Sequence, residues 1–159
     1  SDESSELSML VNRAAEAYSV SDESSSVARL VQNVLESPTV AGSTAENSWR
    51  EVWIAAEIAK GVEIEGSIDL LISNDDETFT IVDYKTDRVT GGDLVSRAKG
   101  YEPQLACYAL ALETLGLTVD SAVLIFADGA DDGSAFEYMI QDLEAAKGSV
   151  LDQANKAFA

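Results

Sequence analysis

The stretch between Trp49 and Lys85 restricts the possible folds more than any other part of the sequence. It contains three runs rich in β-branched and aromatic residues, which extend from Trp49 to Ala59, from Val62 to Ser73 and from Thr78 to Lys85. Lys60-Gly61 separates the first two runs, and residues 74–77, with the sequence Asn-Asp-Asp-Glu, separate the second and third. Both separators are typical of tight turns. The sequence therefore predicts three consecutive antiparallel strands.

Helical patterns flank these strands on both sides. Apolar residues at helical spacing predict helices at about 3–18, 25–36, 103–115 and 143–158, and short apolar runs predict strands at 121–127 and 135–141. Residues 39–47 and 87–100 are predicted as loops, and Pro103 is expected in the first turn of its helix. This order of elements predicts an α/β fold in which helices flank a mixed sheet. We expect residues 1–159 to form a single domain.

The composition excludes several classes of site. The chain has no histidine and one cysteine, Cys107, so it can form neither a Ser-His pair, a His-ligated zinc site, an internal disulfide nor a four-thiolate Fe-S cluster from its own residues. Any metal must be held by oxygen. Without a long apolar run or a signal segment, we expect a cytoplasmic protein with no membrane partner. The start at Ser1 suggests a piece of a larger chain.

Acidic residues dominate the charge of the chain. The sequence has 29 Asp and Glu against 10 Lys and Arg, a formal net charge of −19 that is spread along its whole length. One explanation is a halophilic surface, and the other is an acidic partner for a basic surface, such as a DNA mimic. We favour the first. Because Lys and Arg usually supply affinity for phosphates, a DNA-binding function would need help from divalent metal, concentrated cations or neighbouring domains.

Two carboxylates and a lysine occur in the predicted second and third strands. Side chains alternate along a strand, so Asp83 and Lys85 should share one face, while Asp69 interrupts an otherwise apolar run in the preceding strand. Neighbouring strands lie about 4.8 Å apart, which would allow Asp69 and Asp83 to share a hard cation such as Mg²⁺, with Mn²⁺ as an alternative. Lys85 would then face water or a phosphate. The alternative for an isolated Asp-x-Lys pair is a surface ion pair.

These residues resemble a known family when they are taken in order. Gly66-Ser67-Ile68-Asp69, then Asp83-Tyr84-Lys85-Thr86, then Gln104 and Tyr108, are similar to the PD-(D/E)XK nuclease domain of RecB- and AddA-type helicase-nucleases. The resemblance implies a restriction-endonuclease-like fold at the C-terminal end of an ATP-dependent helicase. It also implies that Asp69 and Asp83 bind metal, that Lys85 is catalytic and that Gln104 and Tyr108 lie beside the site. We further expect the backbone carbonyl of Tyr84 to serve as a metal ligand.

The first predicted strand carries two further expectations. Glu51 matches a glutamate that relatives often have there, which makes it a candidate supporting residue. Trp49 and Trp53 are expected to share one strand face within the core, with stacking on single-stranded bases as the alternative. The chain also departs from the family, whose members usually carry a metal-binding histidine on an early helix. Either that helix lies outside this sequence or the site has lost a ligand.

The residues together with the resemblance favour a Mg²⁺-dependent deoxyribonuclease, most simply an exonuclease. The resemblance further implies a role in double-strand-break repair and recombination. The partners that the resemblance implies are DNA and a helicase domain or subunit. This chain contains no phosphate-binding loop for ATP, so ATP hydrolysis is not assigned to it. ATP would act only through that helicase. The rival hypothesis is a catalytically incomplete module of the same fold that binds DNA ends or partner proteins. A DNA mimic is the third.

Overall fold

The computed structural model describes residues 24–86 and 93–157. The helices of these ranges are α1 (Ser24–Glu36), α2 (Pro38–Ala41), α3 (Asp93–Thr114) and α4 (Leu143–Ala157). The strands are β1 (Ser48–Ala59), β2 (Val62–Ser73), β3 (Phe79–Lys85), β4 (Val119–Phe126) and β5 (Phe136–Met139). The helix predicted over residues 3–18 lies outside the described residues.

The strands form one sheet in the order β1-β2-β3-β4-β5. β1 and β2 pair antiparallel, as do β2 and β3, which confirms the three consecutive antiparallel strands. β3 and β4 pair parallel, and β5 is antiparallel to β4. A parallel pair needs a long crossover, and α3 lies in the connection between β3 and β4. The predicted mixed sheet is confirmed.

Helices cover both faces of the sheet and divide the core into two clusters. Leu124 and Phe126 of β4 face the cluster that α3 and α4 cover, whereas Val123 and Ile125 face the cluster that α1 and α2 cover. β4 is therefore buried on both sides, which explains its continuous apolar sequence. Residues 70–72 of β2 and 81–82 of β3 are also buried on both faces, whereas the first half of β2 is partly exposed. Asp69 and Asp83 adjoin these buried residues and therefore lie at the edge of a dry core.

α3 is longer than the sequence predicts, because it begins at Asp93 rather than near Pro103. Pro103 lies inside the helix, where its missing N–H removes one backbone hydrogen bond. Leu94 and Ala98 before the proline, and Leu105 and Leu112 after it, are all buried. The apolar contacts on both sides of Pro103 offset the lost hydrogen bond. The predicted loop at 87–100 is wrong for residues 93–100, which belong to α3.

A buried lysine joins α4 to α3. Lys147 Nζ lies 2.7 Å from Glu113 Oε1 and 2.5 Å from Glu144 Oε1. Because the lysine side chain is only 8% exposed, the two carboxylates offset the cost of removing its charge from water. This contact ties the C-terminal part of α3 to the N-terminal half of α4.

None of the helices within the described ranges has the length and apolar character needed to cross a bilayer.

Candidate active site

Asp83 and Lys85 lie side by side near the C-terminal end of β3. Ile81, two residues earlier on the strand, belongs to the core cluster under α3, so Asp83 and Lys85 extend along the same face toward that helix. Lys85 Nζ lies 2.7 Å from Asp83 Oδ2, and the lysine and aspartate side chains are 15% and 7% exposed. The predicted pair is therefore mostly buried rather than a solvent-exposed surface ion pair.

Asp69 lies at the point where the pairing of β2 with β3 ends. The register runs from Ser73 opposite Phe79 to Leu70 opposite Val82, and one further step would set Asp69 opposite Asp83. Asp69 Oδ2 instead accepts a hydrogen bond of 2.8 Å from the backbone N–H of Tyr84. This N–H thus bonds to the Asp69 carboxylate rather than to a backbone carbonyl of β2. The hydrogen bond holds the carboxylate beside Tyr84, the neighbour of Asp83 on β3.

Side chains from α3 hold the other side of Lys85. Gln104 Oε1 accepts a hydrogen bond of 3.1 Å from Lys85 Nζ, and Gln104 Nε2 donates one of 3.1 Å to the hydroxyl of Tyr108. Tyr108 packs over Gly66 so closely that a Cβ on that glycine would lie 2.9 Å from Tyr108 Cε1. Gly66, Tyr108, Gln104 and Lys85 thus form a continuous chain of contacts from β2 through α3 to β3.

Tyr101 is a further neighbour of the lysine. Its ring lies under Lys85 Nζ, with 4.0 Å between the nitrogen and the ring centroid. Tyr101 was not among the predicted site residues, because the helix was expected to begin at Pro103. A helix beginning earlier would have shown Tyr101 one turn before Gln104, on the same face of α3.

Glu51 lies on β1, one strand away from Asp69. Arg50 pairs with Leu70 and Val52 with Ile68, so the position between them sets Glu51 across from Asp69. Glu51 is exposed and has a φ of 53°, which is rare for a residue other than glycine. The structure therefore places Glu51 near Asp69, but on β1, which is the edge strand of the sheet.

The unusual backbone at Glu51 also explains why the prediction for the tryptophans is wrong. Trp49 lies near Phe79, which packs against the cluster under α3, whereas Trp53 alternates with Val52 and Ile54, which face that same cluster. The two rings therefore lie on opposite sides of β1. They are 48% and 63% exposed, so neither belongs to the core.

The chemistry of the donors bears on metal binding. Asp83 Oδ2 is buried and contacts Lys85, yet it accepts no hydrogen bond of good geometry from the described part of the chain. Within residues 24–86 and 93–157, no group of three or more Asp, Glu or Cys is arranged to hold a metal. Mg²⁺ usually needs only one or two carboxylates and keeps several waters. Asp69, Asp83 and the Tyr84 carbonyl fit that limited donor set.

Comparison with known proteins decides the family. The model of the PD-(D/E)XK nuclease superfamily matches residues 1–158. The chain belongs to this superfamily. The restriction-endonuclease-like α/β fold predicted from the sequence is confirmed, as is the resemblance to the RecB and AddA group.

Two curated relatives of this PD-(D/E)XK chain are both named as subunits of an ATP-dependent helicase/nuclease. The one from Carboxydothermus hydrogenoformans is 44% identical over 73 residues, which are 45% of this chain and 6% of the relative. The one from Listeria monocytogenes serotype 4b is 33% identical over 87 residues, or 50% of this chain and 7% of the relative. The chain thus matches only a small part of these much longer proteins.

A solved structure, that of SSO0001, covers 95% of this chain and 65% of its own, with a TM-score of 0.47 and 20% identity. The superfamily assignment rests on the family match and not on this likeness.

Proposed function

We propose that this chain is a divalent-metal-dependent DNA nuclease that works with a helicase motor at double-strand breaks. The observation that carries the proposal is the 2.7 Å contact between Lys85 and the buried Asp83, beside Asp69 on the neighbouring strand. Membership of a nuclease superfamily supports phosphodiester hydrolysis as the reaction. The names of the two curated relatives support a helicase as the partner domain or subunit.

Asp69, Asp83 and the backbone carbonyl of Tyr84 would hold the cation, Mg²⁺ or Mn²⁺. When bound, the cation supplies positive charge next to the phosphate and makes water easier to deprotonate. The two aspartates come from adjacent strands of the sheet, so the backbone would keep them beside each other. Asp69 keeps its orientation through the hydrogen bond that its Oδ2 accepts from Tyr84.

Lys85 would act on the phosphate itself. Its ammonium can donate to a water molecule or to a phosphate oxygen, and it offsets the negative charge that develops on the phosphoryl group. Gln104 holds the ammonium through its Oε1, and Tyr108 fixes the Gln104 amide. Gln104 and Tyr108 are therefore positioning residues. Glu51, on β1 across from Asp69, would support the part of the site that contains this aspartate.

Metal binding is tested with the protein alone, by titrating Mn²⁺ and Mg²⁺ in a calorimeter. We expect Asp69→Asn and Asp83→Asn each to weaken Mn²⁺ binding by about tenfold or more, since each removes a charged oxygen ligand. Asp120→Asn is the matched control, because Asp120 is an exposed strand aspartate on β4. Equal Mn²⁺ affinity in all three variants would contradict the proposed metal ligands.

A second candidate is a noncatalytic module that binds DNA ends or partner proteins. Two observations favour it, namely the lack of a group of three or more metal-binding side chains among residues 24–86 and 93–157 and the lack of any histidine in the sequence. Linear and closed circular DNA distinguish the two candidates. An exonuclease degrades only the linear form in the presence of metal, whereas a binding module retains linear DNA in a gel without shortening it.

A further inference from the structure

Tyr101 contacts Lys85 in a way that no other described residue does. The centroid of its ring lies 4.0 Å from Lys85 Nζ, so the ammonium sits on the face of the ring. Tyr101 is partly buried against the core cluster under α3, and its ring lies 6.4 Å from that of Phe126 at an interplanar angle of 52°. Packing on the core side holds the ring in place under the ammonium.

The ring face and the ammonium attract each other. The π electrons make the face of an aromatic ring negative, and a lysine ammonium within about 6 Å of the centroid is stabilised there. Lysine has a flexible stem that loses rotamer freedom when the ammonium is held in one place, so the ammonium needs several contacts to stay at one point. Asp83, Gln104 and the ring of Tyr101 supply three such contacts.

We propose that Tyr101 is a positioning residue that holds Lys85 at the scissile phosphate through the face of its ring. This inference rests on the proposed function, in which Lys85 acts on the phosphate. Tyr101 and Gln104 both belong to α3, whereas Asp83 belongs to the same strand as Lys85. The α3 contacts therefore keep the ammonium in position even when the Asp83 oxygens turn to another cation.

The test compares substitutions that keep or remove the ring. Tyr101→Phe keeps the ring and should retain kcat for DNA cutting within about twofold, whereas Tyr101→Leu should lower kcat by roughly three- to tenfold with little change in KM. A series of phenylalanines with increasing numbers of ring fluorines can be incorporated at position 101. These rings keep nearly the same shape, but each fluorine reduces the negative electrostatic potential of the ring face. We expect log kcat to fall stepwise along this series. A kcat that is independent of fluorination would overturn the proposal.

A second readout needs neither metal nor DNA. The ring current of Tyr101 should shift the NMR signals of the Lys85 Cε protons upfield, and the shift should persist in Tyr101→Phe and vanish in Tyr101→Leu. Absence of the shift from the wild-type spectrum would overturn the proposed contact, whether or not the protein cuts DNA. A normal shift in a wild-type protein that does not cut DNA would instead overturn the nuclease function, and with it the role of Tyr101 in cutting.

Discussion

At the scale of single residues, the site depends on a close approach that only glycine allows. Tyr108 can fix Gln104 because its ring lies against Gly66, where a Cβ would meet Tyr108 Cε1 at 2.9 Å and the hydroxyl oxygen at 3.1 Å. Tyr108 is 9% exposed and has little room to retreat. The glycine in the Gly66-Ser67-Ile68-Asp69 segment therefore serves the packing of β2 against α3.

We predict that Gly66→Ala lowers the free energy of unfolding by about 1–3 kcal/mol, because the added methyl group overpacks the contact with Tyr108. The same substitution should slow DNA cutting, since Gln104 loses the orientation that Tyr108 gives it. Gly100→Ala is the matched control, as a Cβ there meets nothing within 4 Å inside α3. It should raise the unfolding free energy by about 0.5–1 kcal/mol. Urea titrations that give the same change for both variants would contradict this account.

The residues of the site could be predicted where the periodicity of a strand or of a helix places them on one face. Asp83 and Lys85 share a face because they are two residues apart on β3, and Gln104 and Tyr108 share a face because they are four apart on α3. Tyr101 could not be found in the same way. The sequence around it contains Gly100 and Pro103, which favour a helix boundary, and only tertiary packing extends the helix through both.

At the scale of elements, the contacts that join distant segments are the ones that the sequence does not reveal. Residues 39–47 were predicted as a loop, yet the short helix α2 begins at Pro38. Thr39 donates to Glu137 from its backbone N–H at 2.8 Å and from its hydroxyl at 2.7 Å. A carboxylate from β5 thus caps the start of this helix. No local pattern indicates a partner that lies so far along the chain.

A hydrogen bond joins the side chains of Tyr138 on β5 and Glu102 on α3. Tyr138 donates to Glu102 Oε1 at 2.6 Å. This hydrogen bond, together with partial burial and the charge of Glu102, raises the pKa of Tyr138 from its ordinary value of 10.0 to about 12. Because the folded pKa is above the unfolded one, the stabilisation is complete below pH 10.0 and disappears as the pH rises to about 12.

We therefore predict that the melting temperature of the wild-type protein falls more steeply between pH 10 and 12 than that of Tyr138→Phe, which cannot lose a proton at this position. Thermal denaturation followed by circular dichroism measures both proteins. Absorbance of the tyrosinate ion should also show one transition near pH 12 in the wild type that is missing from the variant. Parallel pH curves for the two proteins would contradict the assignment.

At the scale of the whole molecule, the charge of −19 opposes the proposed substrate. DNA is itself a polyanion, so long-range repulsion must be screened before the phosphate reaches Lys85. The Debye length is about 10 Å at 0.1 M salt and about 3 Å at 1 M, which makes concentrated KCl the condition in which this surface is least repulsive. A helicase motor that delivers the DNA end would serve the same purpose within a larger protein.

DNA cutting by the wild type and by Lys85→Ala tests the central claim most directly. Both proteins would be incubated with linear DNA in concentrated KCl, with Mg²⁺, with Mn²⁺ and without divalent metal, and acid-soluble nucleotides would be measured. Lys60→Ala is the matched control, because Lys60 is an exposed lysine in the turn between β1 and β2. We predict metal-dependent cutting by the wild type and the control, and a loss of about a hundredfold or more in Lys85→Ala. Undiminished cutting by Lys85→Ala, or no cutting by a folded wild-type protein under any of these conditions, would contradict the account.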